Sequence, residues 1–403
     1  MIVGFERSSW AHSYGRSIAS PLGTLTRHSA PRTLTDTVVG MPLPSLDVVL
    51  GERSTSMAHG LTVGVVTGEG IGAEVSESAL RVIEALNTSS GTALLIEQCP
   101  SLERADDGDL PVSPAVYKWI DACRTEGIPV LHGPAGGRFV YELRRAFNLF
   151  VKLTPVHADP VLIDASILRP EHVVGTDMLL VRDNSGGIYQ GEHGWLTDDS
   201  VFHSFHYSRD QVAAVIDVAV RAAESRDSRL TLVVKPGGIP TVSALWQQVA
   251  QEESSGRVSL DILEIDNACY QLASEPTKFD VIVSPNMFGD VLGDTASVAL
   301  GSRGLSYSAN FSAEGFGVYQ TAHGAAHDIV GTDSANPIAH LLSLAWLLEA
   351  SLHRPDLAAR IRDAIGSVLA RDIRTADIAG PSSTVVGTRA MTTHIVDEIV
   401  RSA

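Results

Sequence analysis

From residue 61 onward the chain alternates β-branched apolar runs with helical stripes, and this alternation confines it to the α/β class with a largely parallel sheet. Residues 61–66 read as a strand. Thr67-Gly68-Glu69-Gly70-Ile71-Gly72 follows, and then a helix with Val75, Ala79, Val82, Ile83 and Leu86 on one stripe. Glu74 falls in that helix's first turn, where a negative charge suits the dipole. Further strands are expected at 93–97, 178–181, 230–234 and 279–283, with helices such as 210–226 and 242–252 between them. The longest apolar stretch, 338–348, is broken by His340 and Ser343 and falls short of the ~20 residues that span a bilayer, so it reads as a buried helix.

Residues 1–57 are a different kind of sequence, rich in Ser, Thr, Arg, Pro and Gly. Between Met1 and Thr35 the only acid is Glu6, against Arg7, Arg16, Arg27 and Arg32. Two readings stand: an organelle transit segment, or a disordered extension before Met57 that packs little. A secretory signal is not expected. The formal charge of −17 argues against a nucleic-acid partner, because phosphate binding needs a basic stripe. Cys99, Cys123 and Cys269 are far apart and odd in number, which points to a reducing, cytoplasmic setting rather than a disulfide framework.

Several short patterns carry chemistry. Gly68, Gly70 and Ala73 fit the dinucleotide pattern G-x-G-x-x-G/A, with Glu97 the candidate ribose acid; glycine turns between strand and helix are also common without a nucleotide. Asp290 and Asp294 share a face if their segment is helical. Such a pair repels by a few tenths of a kcal/mol unless a hard cation such as Mg²⁺ or Mn²⁺ bridges it. Asp266 ends another apolar run and is a candidate third oxygen ligand. Arg182, just past a strand, is placed to fork onto a carboxylate, and Tyr189 is a candidate proton donor. Lys235 closes the strand 230–234, and a neighbouring metal and arginine are expected to lower its ammonium pKa for proton transfer. His323 and His327 lack the glutamate of a zinc helix, and the small residues between them suit close backbone approach to a ligand.

Taken together, residues 67–74, 182–191, 266–267, 286–294 and 323–337 resemble the β-decarboxylating dehydrogenases, the family of isopropylmalate, isocitrate, homoisocitrate and tartrate/malate dehydrogenases. The resemblance runs from about residue 61 to the C-terminus. It implies an isopropylmalate dehydrogenase-like fold around one large, mostly parallel sheet, not a Rossmann fold. One α/β domain is expected at 58–149 plus 301–403, and a second at 150–300 that carries metal, substrate and dimer contacts. It further implies Asp290 and Asp294 as metal ligands, joined by Asp266 from the second subunit of a homodimer. Arg144 and Arg182 are implied to hold the carboxylates of a 3-substituted malate. Tyr189 and Lys235 form the implied acid–base pair, Lys235 reaching the other subunit's site. NAD is then expected along the loop with His323, Gly324, Ala325, Asp328, Ile329 and Asn336, Asp328 taking the ribose hydroxyls and disfavouring NADP.

The chain departs from the family pattern at several positions. Thr154 stands where a further arginine is usual, with Lys152 two residues earlier as an imperfect substitute. Gln320 stands where an acid is common, and Gly237 lies where the family carries a small residue and then Asn. The short segment 133–141 leaves Val140 and Tyr141 to set side-chain selectivity. The expectation is oxidative decarboxylation of a 2-hydroxy diacid, the alternative being a non-catalytic regulatory subunit or a diverged member acting on an unusual substrate.

Overall fold

The computed structural model describes residues 45–50, 60–106 and 108–402. Its centre is a ten-stranded sheet. In chain order the strands are β1 (Thr62–Val66), β2 (Leu95–Gln98), β3 (Val130–His132), β4 (Val151–His157) and β5 (Asp177–Asp183). A separate hairpin follows, β6 (Glu192–Thr197) and β7 (Ser200–Ser204). The sheet is completed by β8 (Arg229–Val234), β9 (Ser259–Glu264), β10 (Val281–Ser284), β11 (Tyr307–Phe311) and β12 (Gly317–Thr321). The order across it is β2-β1-β3-β12-β11-β4-β5-β10-β8-β9.

Both outer portions are parallel, as the strand–helix alternation requires. The middle is not: β12 with β11, β11 with β4, and β4 with β5 run antiparallel. The five strands drawn from residues 150–300 lie side by side in one half of the sheet, and the strands from outside that range form the other.

The helices form where apolar spacing and end signals agree. Gly72–Ser90 buries Val75, Ala79, Val82, Ile83 and Leu86, and Gly91 ends it in the left-handed conformation that a glycine adopts without strain. Arg209–Glu224 opens on a capping box between Ser208 and Gln211. Ile338–Ala350 is buried nearly all round, His340 and Ser343 included, as its largely apolar character demands. Among the described residues no helix is long and apolar enough to cross a membrane. Most of the expected N-terminal extension lies outside the described residues. Leu46–Leu50, however, forms a short helix that packs on Arg209–Glu224 and buries Val49, so this part is packed, not loose.

The turn at Gly68–Gly72 serves the loop beyond residue 322. Ile71 N–H donates to the Ala325 carbonyl at 2.9 Å. Gly70 has φ +57, and a Cβ there would lie 1.9 Å from that same oxygen, so only glycine permits the contact. The glycines are thus used for backbone approach between two loops. Glu97, the candidate ribose acid of a Rossmann site, sits exposed on the edge strand β2, in keeping with a fold that is not Rossmann.

Candidate active site

The site gathers where the antiparallel centre of the sheet meets the helix Asn286–Ala296. One cross-strand row runs Asn310, Lys152, Arg182, Ser284 over β11, β4, β5 and β10. Arg182 is 3 % exposed. Its Nε and Nη2 both donate to Asn286 Oδ1, at 3.2 and 2.8 Å, and Nη1 donates to Asp290 Oδ1. Asn286 is itself fixed by donating Nδ2 to the Gly186 carbonyl at 2.8 Å. The helix reaches Arg182 because residue 289 is glycine: a Cβ there would lie 2.6 Å from Arg182 Cγ.

Tyr189 donates its hydroxyl to Asp290 Oδ2 at 3.1 Å, and the Arg182 guanidinium lies 5.7 Å from its ring centre. Burial first, and Asp290 second, push the Tyr189 hydroxyl up to about 12, so it carries its proton at neutral pH. Burial opposes charge on Asp290, yet Arg182 and Lys152 outweigh it and hold the carboxyl below its ordinary range. Arg144, from the helix Gly137–Ala146, is buried and stands over the Tyr141 ring at 5.7 Å; the Tyr141 and Tyr189 rings are 5.3 Å apart. Burial and the nearby Arg182 push the Arg144 guanidinium down to about 9. Arg144, Tyr141, Arg182, Tyr189 and Asp290 therefore converge, whereas Val140 packs against the cluster around Phe139 and Leu143.

Asp294 lies on the same helix as Asp290, as the i, i+4 spacing predicted, and accepts from Arg303 at 2.8 Å. Lys235 and Asp266 occupy a different place. The Lys235 ammonium donates to Asp266 and Glu264, each at 2.6 Å, and these hydrogen bonds raise its pKa. The sequence expectation of a lowered Lys235 pKa is thus corrected for the single chain, because its nearest partners are carboxylates. Asp266 is exposed, and among the described residues of one chain no group of three His, Cys, Asp or Glu gathers as a metal site. The two aspartates of the 286–296 helix supply hard carboxylate donors that suit Mg²⁺ or Mn²⁺, but one chain alone leaves the set short.

A groove of about 340 Å³ lies beside Asp294's partner Arg303. His323, Gly324, Ile329 and Asn336 line it, with Ile71, Ala326 and Asp377. Ala325 is buried beneath, and Asp328 is exposed on the same loop. Gly324 has open space where a Cβ would stand, so a flat ligand can approach its backbone. Asn336 Nδ2 donates to Asp377 at 3.1 Å, which holds the groove floor. A second groove, about 290 Å³, runs past Gly187, Tyr207, Lys235 and Phe288. Sequence reasoning gave no role to Asn286, Arg303 or Asp377. Asn286 stood inside the 286–294 motif and Asp377 inside the stretch 374–378 that the family resemblance also covers, whereas Arg303 carries no local pattern.

Buried guanidiniums beside a protonated tyrosine and a carboxylate pair suit, on this fold, the chemistry of a decarboxylating dehydrogenase. The family model described as isocitrate/isopropylmalate dehydrogenase matches residues 62–398, and the chain belongs to that family. It is 35 % identical over 357 residues to the 3-isopropylmalate dehydrogenase of Hydrogenovibrio crunogenus, covering 82 % of this chain and 98 % of that one. Against the 3-isopropylmalate dehydrogenase of Hahella chejuensis the identity is 36 % over 344 residues, covering 81 % and 95 %. The crystal structure of isocitrate dehydrogenase from Methylococcus capsulatus superposes with a TM-score of 0.73 at 25 % identity, covering 84 % of this chain and 99 % of that one.

Proposed function

We propose that the protein carries out NAD- and divalent-metal-dependent oxidative decarboxylation of a 3-substituted malate, an isopropylmalate, isocitrate or homoisocitrate-like diacid. The convergence of buried Arg144 and Arg182 with the part-exposed Tyr189 and Asp290 carries this reading. Arg144 and Arg182 hold the substrate carboxylates, since a guanidinium fork matches a carboxylate bidentately. Tyr141 borders the variable side group, while Val140, packed on the Phe139 and Leu143 cluster, supports it from behind. Tyr189 delivers its proton to the enol left when carbon dioxide departs. Lys235 is assigned the proton of the 2-hydroxyl in the site of a second subunit, a role open to it only as the neutral amine, once it has left Glu264 and Asp266. Asp290, Asp294 and a second subunit's Asp266 would hold Mg²⁺ or Mn²⁺, which when bound supplies Lewis-acid polarisation of that hydroxyl and of the ketone it becomes. His323, Gly324, Ala325, Asp328, Ile329 and Asn336 would hold NAD, which when bound accepts the hydride.

The homodimer draws support from the hairpin β6–β7. A lone hairpin is marginal in water, yet Trp195, Leu196 and Val201 on it are 74 %, 66 % and 62 % exposed, an apolar surface suited to a second copy of the chain. The division into domains at 58–149 plus 301–403 and 150–300, and a cytoplasmic setting, belong to the same reading. The departure at Thr154 favours a second reading, a non-catalytic subunit. NAD reduction measured with a panel of 3-substituted malates and Mn²⁺ separates the two: turnover is expected, and neither turnover nor a Mn²⁺-dependent rise in melting temperature means the enzyme reading is wrong.

The cofactor choice has its own test. Asp328→Lys replaces a carboxylate that repels a 2′-phosphate with an ammonium that attracts one. The ratio of kcat/KM for NAD over NADP is expected to fall by about tenfold or more. An unchanged ratio would remove Asp328 from the ribose site.

A further inference from the structure

Lys152 is a buried lysine whose amine meets no hydrogen-bond or ion-pair partner among the described residues. The stretch 151–156 of β4 is buried throughout, and alternation puts Lys152 and Thr154 on the same face. Lys152 pairs across the sheet with Asn310 on one side and Arg182 on the other. It is 7 % exposed, and among the described residues its ammonium has no hydrogen-bond or ion-pair partner. Arg144 is 6 % exposed with its Nε equally unpartnered. Burial, then Arg144 and Arg182, push the Lys152 ammonium well below its ordinary pKa, while Asp290 and Asp294 pull it back. Thr154, its neighbour on that face, brings no charge.

The charges do not balance. Among the described residues, Arg144, Lys152 and Arg182 form only one ion pair, Arg182 with Asp290; Asp294 pairs with Arg303 and acts on Lys152 only through its field. With all three protonated, the basic groups exceed the paired carboxylate by two charges, and a divalent cation held by Asp294 and a third carboxylate does not reduce that excess. Buried charge without a partner is costly, and an anion from outside with two negative charges removes the cost.

We infer that Lys152 is the third cationic anchor of the substrate, binding a carboxylate alongside Arg144 and Arg182, so that the pocket takes a diacid and rejects a monoacid. The inference rests on the diacid reading above. A lysine differs from a third arginine here: its ammonium is a point charge on a flexible stem, and it follows a carboxylate without fixing its plane. Lys152 therefore sets affinity for the charge and leaves orientation to the two guanidinium forks.

The test compares wild type, Lys152→Met and Lys152→Arg, using calorimetric binding of malate and lactate with Mn²⁺ present, melting temperature without ligand, and steady-state kinetics. Malate is expected to bind the Lys152→Met protein tenfold to a hundredfold more weakly than wild type, the range for a lost charged hydrogen bond. Lactate, weak in both, changes little. KM for the turned-over diacid rises with kcat nearly kept, and Lys152→Arg restores most of the affinity. Without ligand, Lys152→Met melts at or above the wild-type temperature, because an unpaired buried charge has been replaced by an apolar chain. Equal malate binding by wild type and Lys152→Met would overturn the role of Lys152 and leave the diacid reading standing. A lowered melting temperature with loss of all binding would make Lys152 structural. Wild type binding no diacid would overturn the diacid reading itself.

Discussion

Asp290→Asn is expected to abolish the Mn²⁺-dependent rise in melting temperature and to lower turnover on the order of a thousandfold, because several kcal/mol of transition-state charge stabilisation depend on the bound cation. Metal-free stability should fall by only about 1 kcal/mol. The amide oxygen of asparagine can still accept from Arg182, Arg182 keeps both bonds to Asn286, and the Asp290 side chain is 40 % exposed. The difference between the two proteins depends on pH with a definite sign. The folded carboxyl titrates below its ordinary range, so its contribution is present above the unfolded carboxylate pKa of about 4 and fades as pH falls through the lower folded value. The gap in metal-free melting temperature therefore narrows in acid. A Mn²⁺ response equal to wild type would show that Asp290 is no ligand, and a large metal-free loss would make it a structural partner of Arg182 first.

What the residues alone foretold follows from how local each signal is. β1, β5, β8 and β10 were legible because β-branched runs bounded by turn residues need no knowledge of their neighbours. The antiparallel centre was not. Strand direction depends on which segments meet, and β11 meets β4 across a sequence separation that no window contains. The Asp290–Asp294 pair was legible because helical spacing is local. The glycine turn misled for the opposite reason: Gly68, Gly70 and Ala73 satisfy a nucleotide pattern, yet Gly70 answers to Ala325, some 255 residues away. Lys235 and Asp266 were each singled out, but their pairing with each other came from the parallel register of β8 and β9, which sets Val234 opposite Glu264. Lys152 left one trace in the sequence, the one lysine or acid side chain in a strand otherwise led by apolar residues. That trace weighs more once the strand proves buried on every residue from 151 to 156.

Tyr189→Phe is expected to lower kcat by about 10²- to 10⁴-fold, the ordinary contribution of a positioned proton donor. The ring is kept, so its contacts with Tyr141 and the Arg182 guanidinium survive, and KM should change little. Loss of the hydroxyl's bond to Asp290 costs about 1 kcal/mol of stability, which separates this variant from a misfolded one by melting temperature alone. The hydroxyl can serve as a donor because its pKa, at about 12, leaves it protonated across the working range, and as a base it would be idle there. The two halves of the reaction give a sharper readout. Oxidation of the 2-hydroxyl proceeds without the tyrosine, whereas protonation of the enol needs it. In D₂O the wild-type enzyme should place deuterium on one face of the product carbon, and Tyr189→Phe should scramble that placement as solvent protonates from either side. Retained stereochemistry with a reduced rate would mean that another group delivers the proton and that Tyr189 acts through its hold on Asp290.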